Sequence, residues 1–203
     1  MKMVIIGAGL AGAMARGFFS SLHPEVYEAK PAPENNHKAI MRFRDFSIGY
    51  LLGVPLEKVK VSKAIYYQGN FVAPSLAMFN LYSRKVSQGI FSRSIASIEP
   101  VERFIAKDNF VIPSVQYGKV LNKVKLGECC FQDDSTVKYD VCISTIPLPV
   151  MAKIARLELD QNKIKSYPIC VARYPVKISS DVFQTIYFPD PVLSTYRVSL
   201  ERQ

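Results

Sequence analysis

The sequence predicts an α/β protein: a parallel sheet, an antiparallel β-meander that returns to it, and an inserted α+β lobe. Three observations carry this reading. The chain opens as strand, glycine turn, helix, strand and acid, in that order: Lys2–Ile6, Gly7-Ala8-Gly9-Leu10-Ala11-Gly12, small and apolar residues at helical spacing through Phe18, then Val26-Tyr27 closing on Glu28. Later, the strand-like runs Lys119–Leu126, Glu128–Gln132 and Val137–Thr145 are separated by Gly127 and by Asp133-Asp134-Ser135, both turn formers. Between these two regions the sequence keeps neither a helical nor a strand period for long, as expected of an insertion.

The elements follow in order. The first helix is expected to run until Pro24 stops it, and Val26-Tyr27 forms the second strand. Residues Pro31–Asp45 are polar and proline-bearing, with Asn35, Asn36 and His37 inside, so a loop is expected. The region 46–113 holds two expected helices, near Asp45–Leu52 and Ser75–Gln88, and a strand-like stretch, Val61–Tyr67. After the meander comes Ile146-Pro147-Leu148-Pro149 and a helix, Val150–Leu157; the section Ile169–Leu200 is again strand-like, punctuated by Pro175, Pro189 and Pro191. This divides the chain into a dinucleotide-binding domain, 1–45 and 114–160, and a substrate or interaction lobe, 46–113 and 161–203.

Composition sets the bounds. With 203 residues, 49% apolar and 11% aromatic, the chain is of globular type and can form one domain with a small lobe inserted. No run of about 18 apolar residues occurs, so no membrane span is expected. The opening Met3–Leu10 run is short and glycine-rich, unlike a secretion signal. Cys129, Cys130, Cys142 and Cys170 show no C-x-x-C spacing and only His23 and His37 accompany them, so no metal centre and a reducing cytoplasm are expected. Cys129 and Cys130, neighbours on one strand, read as strand fillers and point to opposite faces. The formal charge of +9 favours anionic partners, a nucleotide-type small molecule or nucleic acid, and its scattered lysines and arginines are mostly a solvated surface.

The glycine turn carries specific chemistry. Gly7 permits the tight exit from the strand, Gly9 lets the main chain approach a pyrophosphate, and Gly12 lets the helix pack closely. Phosphates then sit at a helix N-terminus, where free N–H groups and the helix dipole favour negative charge. Glu28, 21 positions after Gly7, can accept from both ribose hydroxyls and would repel the 2′-phosphate of NADP. An antiparallel insert returning to the main sheet fits a flavin protein better than a nicotinamide dehydrogenase. FAD is therefore the expected cofactor, with NAD second.

The segment Met3-Val-Ile-Ile-Gly-Ala-Gly-Leu-Ala-Gly12 resembles the N-terminus of the Rossmann-like flavoprotein superfamily that includes amine oxidases, protoporphyrinogen oxidase, phytoene desaturase and UDP-galactopyranose mutase. Tyr139-Asp-Val-Cys-Ile-Ser-Thr-Ile-Pro-Leu-Pro149 is similar to the strand and turn by which those proteins return to the FAD domain. Ile186-Tyr-Phe-Pro-Asp190 with Tyr196-Arg197-Val198-Ser199 resembles a stretch near the flavin in the mutase branch. The resemblance implies cofactor contacts from Gly7, Ala8, Gly9, Leu10, Ala11, Gly12, Glu28, Ala29, Lys30, Thr145, Ile146 and Pro147, and substrate contacts from Tyr187 and Arg197. Two departures stand out. The glycine pair that such proteins carry after the acid is replaced by Lys30-Pro-Ala-Pro-Glu-Asn-Asn-His-Lys38, where His37, Lys38 or Arg42 is the expected substitute. Relatives also continue past the equivalent of Arg197, so truncation, a partner chain or a degenerate site are the three readings of Gln203.

Softer candidates complete the set. The Arg42-Phe43-Arg44 patch is read as meeting a phosphate or, equally, as a solvated helix start. His37 reads as a flavin neighbour or a surface loop residue; Tyr82-Ser83-Arg84-Lys85 and Arg93-Ser94 read as lining of an anionic pocket or as surface. Asp133-Asp134 reads as a turn, not an acid–base dyad. No catalytic residue is assigned. The function that follows is a FAD-dependent oxidoreductase, or flavin-assisted lyase or mutase, on a nucleotide-sugar or a base in nucleic acid. The alternative is a non-catalytic dinucleotide module, or half of a split flavoenzyme completed by a partner chain; a homo-oligomer is the other partner expected.

Overall fold

A computed structural model describes residues 1–33, 41–87, 95–106, 112–160, 169–177 and 183–200. The chain divides into two compact units: Met1–Asn36, Asp45–Leu56 and Ala106–Ser166 form the first, and His37–Arg44, Glu57–Ile105 and Tyr167–Gln203 the second.

The first unit is built on a four-stranded parallel sheet. β1 (Met3–Ile6) lies between β2 (Glu25–Tyr27) and β10 (Val141–Ser144), and β6 (Val115–Gln116) pairs with β2. Both faces of β1 are covered, which is why four consecutive apolar residues suit it: Met3, Val4, Ile5 and Ile6 are all buried. Burying each contributes about 1.5–3 kcal/mol. Helix α1 (Leu10–Phe18) follows the glycine turn. The meander of β7 (Leu121–Lys125), β8 (Glu128–Phe131) and β9 (Thr136–Lys138) contributes Leu121, Cys129, Phe131 and Val137 to one core with Val4, Ile6 and Tyr27. Helix α4 (Leu148–Ala155) adds Met151 and Ile154 to it.

The second unit holds a five-stranded mixed sheet. The long β3 (Leu56–Tyr67) pairs with the parallel β11 (Phe183–Tyr187), the antiparallel β4 (Asn70–Val72), and β5 (Val101–Ala106); β12 (Arg197–Leu200) runs antiparallel to β11. Helix α3 (Leu76–Ser87) places Tyr82 against Ile65, Ile95 and Tyr187, the core of this unit.

Several expectations are corrected. The strand expected over Val137–Thr145 is two strands, because pairing changes hands at its middle: the Tyr139 N–H donates to Gly127 O, while the Asp140 N–H donates to Lys2 O. The meander thus closes at β9, and β10 begins afresh beside β1. The first helix stops at Phe18, short of Pro24; a single 3₁₀ turn, Ser20–Leu22, and His23 at φ 48° intervene. The helix expected near Asp45–Leu52 is α2 (Ile48–Leu52), and it belongs to the first unit. The reason is Gly17 of α1: a Cβ there would collide with the Leu51 carbonyl, so glycine is what lets α2 pack on α1. Among the described residues, strand structure within Ile169–Leu200 is confined to β11 and β12; 169–177 lies outside any strand. Three short strands, β4, β5 and β6, carry no local alternation long enough to announce them.

Candidate functional site

The glycine turn joins β1 to α1. Gly7 adopts φ +100°, a conformation that side chains avoid, and its N–H donates to Tyr27 O at 2.8 Å, tying the turn to β2. A Cβ on Gly12 would strike the Gly7 carbonyl oxygen, so the helix comes within contact of the turn only because Gly12 has none. Gly9 is different. It caps α1 in extended backbone, and nothing lies within 4 Å of where its Cβ would stand. The space above Gly9 is open and faces the N-terminus of a helix of nine residues with no acidic residue in its first turn.

Glu28 closes the other side. Its Oε2 accepts the Ala8 N–H at 2.7 Å and its Oε1 accepts the Lys30 N–H at 3.0 Å. Those two bonds fix the carboxylate's orientation. A carboxylate has about four acceptor sites, so acceptor capacity remains on each oxygen for a pair of ribose hydroxyls. The backbone around it is held in turn: Glu28 N–H donates to Gln116 O, and Lys119 N–H donates to Glu28 O. Thr145 braces the turn from beneath. Its hydroxyl lies 3.0 Å from Ile6 O and 3.1 Å from Gly7 O and shares its one proton between them, while its N–H donates to Ile6 O at 2.9 Å. An open approach at Gly9, a helix N-terminus without a side-chain cap and an oriented acid are what a dinucleotide requires, so the residues present fit the group.

The second unit presents a cluster of cations. An isolated bridge pairs Phe43 with Phe104 (Phe43 N–H to Phe104 O, 2.7 Å; Phe104 N–H to Phe43 O, 2.9 Å). Arg42, Arg44 and Arg103 each flank this pair and therefore share the opposite face. Arg42 reaches β11 and β12: Nη1 donates to Thr185 Oγ1 at 2.6 Å and Nη2 to Leu200 O at 2.8 Å. Tyr187, two residues from Thr185 on the same face of β11, stands opposite Arg197 of β12. Burial raises the Tyr187 pKa, while Arg197, Arg103, Arg42 and Arg44 pull it the other way. For Arg103, burial and then the charge of Arg44 depress the pKa, as when cations crowd one another. Four guanidinium groups thus act on one phenol.

No protein-family model matches the chain, and no curated protein does. Solved structures do. The chain superposes on the PF1083 protein from Pyrococcus furiosus with a TM-score of 0.59 at 14% identity, over 93% of this chain and 72% of that one. On reduced UDP-galactopyranose mutase the TM-score is 0.57 at 12% identity, over 97% of this chain and 69% of that one. The chain has the Rossmann-like fold of FAD/NAD(P)-binding flavoproteins.

Against that fold, the sequence-predicted residues fall into distinct groups. Gly7, Ala8, Gly9, Leu10, Ala11, Gly12, Glu28, Ala29, Lys30, Thr145, Ile146 and Pro147 all lie in the first unit, and the glycines, Glu28 and Thr145 form the turn and its supports. Ile146 packs on the core, and Pro147 caps α4. Arg42 is placed in the second unit, bonded to Thr185 and Leu200. Tyr82 and Ser83, expected to line a pocket, are both buried on α3. Lys85 is spent on main chain: its Nζ donates to Phe188 O (2.9 Å), Asp190 O (2.7 Å) and Thr195 O (2.7 Å), and burial lowers its pKa. Arg84 is exposed; Arg197 is exposed and rests 6.0 Å from the Tyr196 ring. His37 and Arg93 lie outside the described residues. Arg103 was missed, because its place beside Arg44 comes from a strand pairing sixty-odd residues apart in sequence, about which local pattern is silent.

Asp133 and Asp134 form a turn: Asp133 accepts the Ser135 N–H at 3.2 Å, and Asp134 sits at φ +60°. Lys119 and Ser135 hold the Asp133 carboxyl down at about 2. Among the described residues no cluster of three or more His, Cys, Asp or Glu is placed to hold a metal ion, and no helix is long and apolar enough to cross a membrane.

Proposed function

We propose that this chain is a FAD-dependent oxidoreductase-type flavoenzyme acting on an anionic, nucleotide-type substrate. The single observation behind the cofactor is the open approach at Gly9, flanked by the α1 N-terminus and by a Glu28 carboxylate already oriented on two backbone N–H groups. Gly7, Gly9 and Gly12 shape the pyrophosphate seat, Glu28 takes the ribose hydroxyls, and Thr145 keeps the turn from relaxing. FAD supplies the electron-accepting ring when bound; the protein's own part is binding, orientation and charge.

The anionic substrate is favoured by Arg42, Arg44, Arg103 and Arg197 gathered about Tyr187. Guanidinium groups bind phosphate oxygens in pairs, and a cluster of them on neighbouring strands suits a compact diphosphate better than an extended polyanion. A nucleotide-sugar is therefore preferred to a base in nucleic acid. Tyr187 stays protonated, its pKa raised by burial, and so adds no negative charge to the cluster.

The test is to purify the full chain, add FAD and record the visible spectrum and flavin fluorescence. Stoichiometric uptake with a shifted flavin band is expected. A colourless protein that takes up no added FAD overturns the proposal. Titrating the FAD-loaded protein with a nucleotide-sugar and, separately, with an oligonucleotide then decides the substrate: Arg103→Ala is expected to weaken the former by about tenfold, the loss of one charge-assisted hydrogen bond.

A further inference from the structure

The thiols of Cys129 and Cys142 face one another, and neither the dinucleotide seat nor the arginine cluster uses them. Cys129 stands on β8 of the meander, fully buried, with Val137 and Phe131 beside it in the core. Cys142 stands on β10 of the parallel sheet, partly exposed, opposite Val4 in register. Although they belong to different sheets, the two Sγ atoms are 3.9 Å apart. Their neighbours differ: Cys130 turns away toward Glu128, and Cys170 is exposed. All four cysteines are free.

We propose that Cys129 and Cys142 are a reversible dithiol–disulfide site that joins the meander to the parallel sheet when a peroxide is the oxidant. The partly exposed Cys142 reacts first. Its thiolate attacks one oxygen of hydrogen peroxide, the O–O bond breaks, hydroxide leaves and takes up the thiol proton as water, and Cys142 becomes a sulfenic acid. The Cys129 sulfur then attacks Cys142 Sγ, the S–O bond breaks, and the Cys129 proton departs with the hydroxyl as a second water. Two thiols lose two electrons, and one peroxide is reduced to two waters.

The electrostatics of the pair support this order. The hydrogen bond that Cys142 shares with Cys129 lowers the Cys142 pKa below the usual thiol value and makes it the better nucleophile. The same bond, followed by burial, raises the pKa of Cys129 and keeps it a thiol until its sulfur attacks Cys142 Sγ. A disulfide of about 2.05 Å requires the two Sγ atoms, now 3.9 Å apart, to close by side-chain rotation. Because Thr145 follows directly on β10, the cross-link would tie the strand that leads into the glycine turn's brace to β8.

The full chain is treated with hydrogen peroxide, alkylated under denaturing conditions and digested with trypsin. The titratable thiols are expected to fall from four to two, and the peptides Leu126–Lys138 and Tyr139–Lys153 to appear as a linked pair, two hydrogens lighter than their sum. Fragmentation should place the bond on Cys129, with Cys130 alkylated, and dithiothreitol should separate the pair. Alkylation of both Cys129 and Cys142 after peroxide, or a link through Cys130, overturns the proposal. Cys129→Ala tests the order of events: Cys142 should then be captured by dimedone as a sulfenic acid, while Cys142→Ala should leave Cys129 reduced. Oxidation of Cys129 in Cys142→Ala at the wild-type rate refutes the assigned sequence.

Discussion

Gly9→Val separates binding from folding. Gly9 sits at φ −73°, which valine adopts, and no atom lies within 4 Å of the added Cβ. Reducing the freedom of the unfolded chain stabilises by about 0.4–1 kcal/mol, and the poorer helix cap costs about 1 kcal/mol. The two nearly cancel, so the melting temperature should move by no more than a few degrees. Dinucleotide binding should not survive. Valine fills the approach to the α1 N-terminus, and each charge-assisted hydrogen bond from backbone N–H to phosphate is worth about 1.5–3 kcal/mol. Losing two of them lowers affinity by a factor of roughly 10² to 10⁴. Thermal unfolding by circular dichroism and a flavin-fluorescence titration of the same preparation give both numbers. If FAD affinity stays within about threefold of wild type, phosphates do not sit above Gly9. If the protein unfolds, the space above Gly9 is not open. Either result refutes the reasoning.

Other outcomes follow from the same geometry. Gly12→Ala, unlike the change at Gly9, should destabilise by about 3 kcal/mol or more, since the methyl meets a main-chain carbonyl that cannot yield; urea unfolding measures it. Glu28→Ala should weaken FAD binding by about 1–3 kcal/mol through the lost ribose acceptors, seen in the fluorescence titration. Lys85→Met strands three carbonyls of the β11–β12 connection, so amide exchange across 188–196 should quicken and stability fall by about 2 kcal/mol. Asp133, held down from 3.8 to about 2, contributes stability that is present above the unfolded value and lost as pH falls through the folded one. Carbon-detected titration of its carboxyl by NMR should therefore show the turn opening between those two values, and a midpoint at the ordinary aspartate value sinks the assignment.

The sequence made some of these features legible and hid others, for physical reasons. β1, the glycine turn and Glu28 could be read directly, because a tight turn, a close helix approach and an oriented acid each demand particular residues within about thirty positions. The meander was visible through Gly127 and Asp133-Asp134-Ser135, but its last strand ran on past Lys138, since nothing in Tyr139-Asp140 reveals that one residue pairs backward to Gly127 and the next to Lys2. Lys85 looked like a ligand for an anion. Its acceptors are carbonyls 103, 105 and 110 residues away, and any residue type supplies a carbonyl. α2 looked like part of the insertion because the contact that assigns it, Gly17 under Leu51, is a missing side chain rather than a present one. Cys129 was read as a strand filler because its proximity to Cys142 across two sheets leaves no trace in spacing.

The place of β1 between β2 and β10 sets a schedule for synthesis. Val4 finds Val26's strand almost at once, yet its other neighbour, Cys142, is made 138 residues later. At about 5–20 residues per second, a ribosome leaves one edge of β1 open for something on the order of ten seconds. Four apolar residues with unpaired main-chain groups wait through that interval, a natural target for a chaperone or for another nascent chain. β1 is completed only when β10 is made. Slowing translation before Val141 should thus raise aggregation more than slowing it after Ser144, in a pulse-chase of soluble yield.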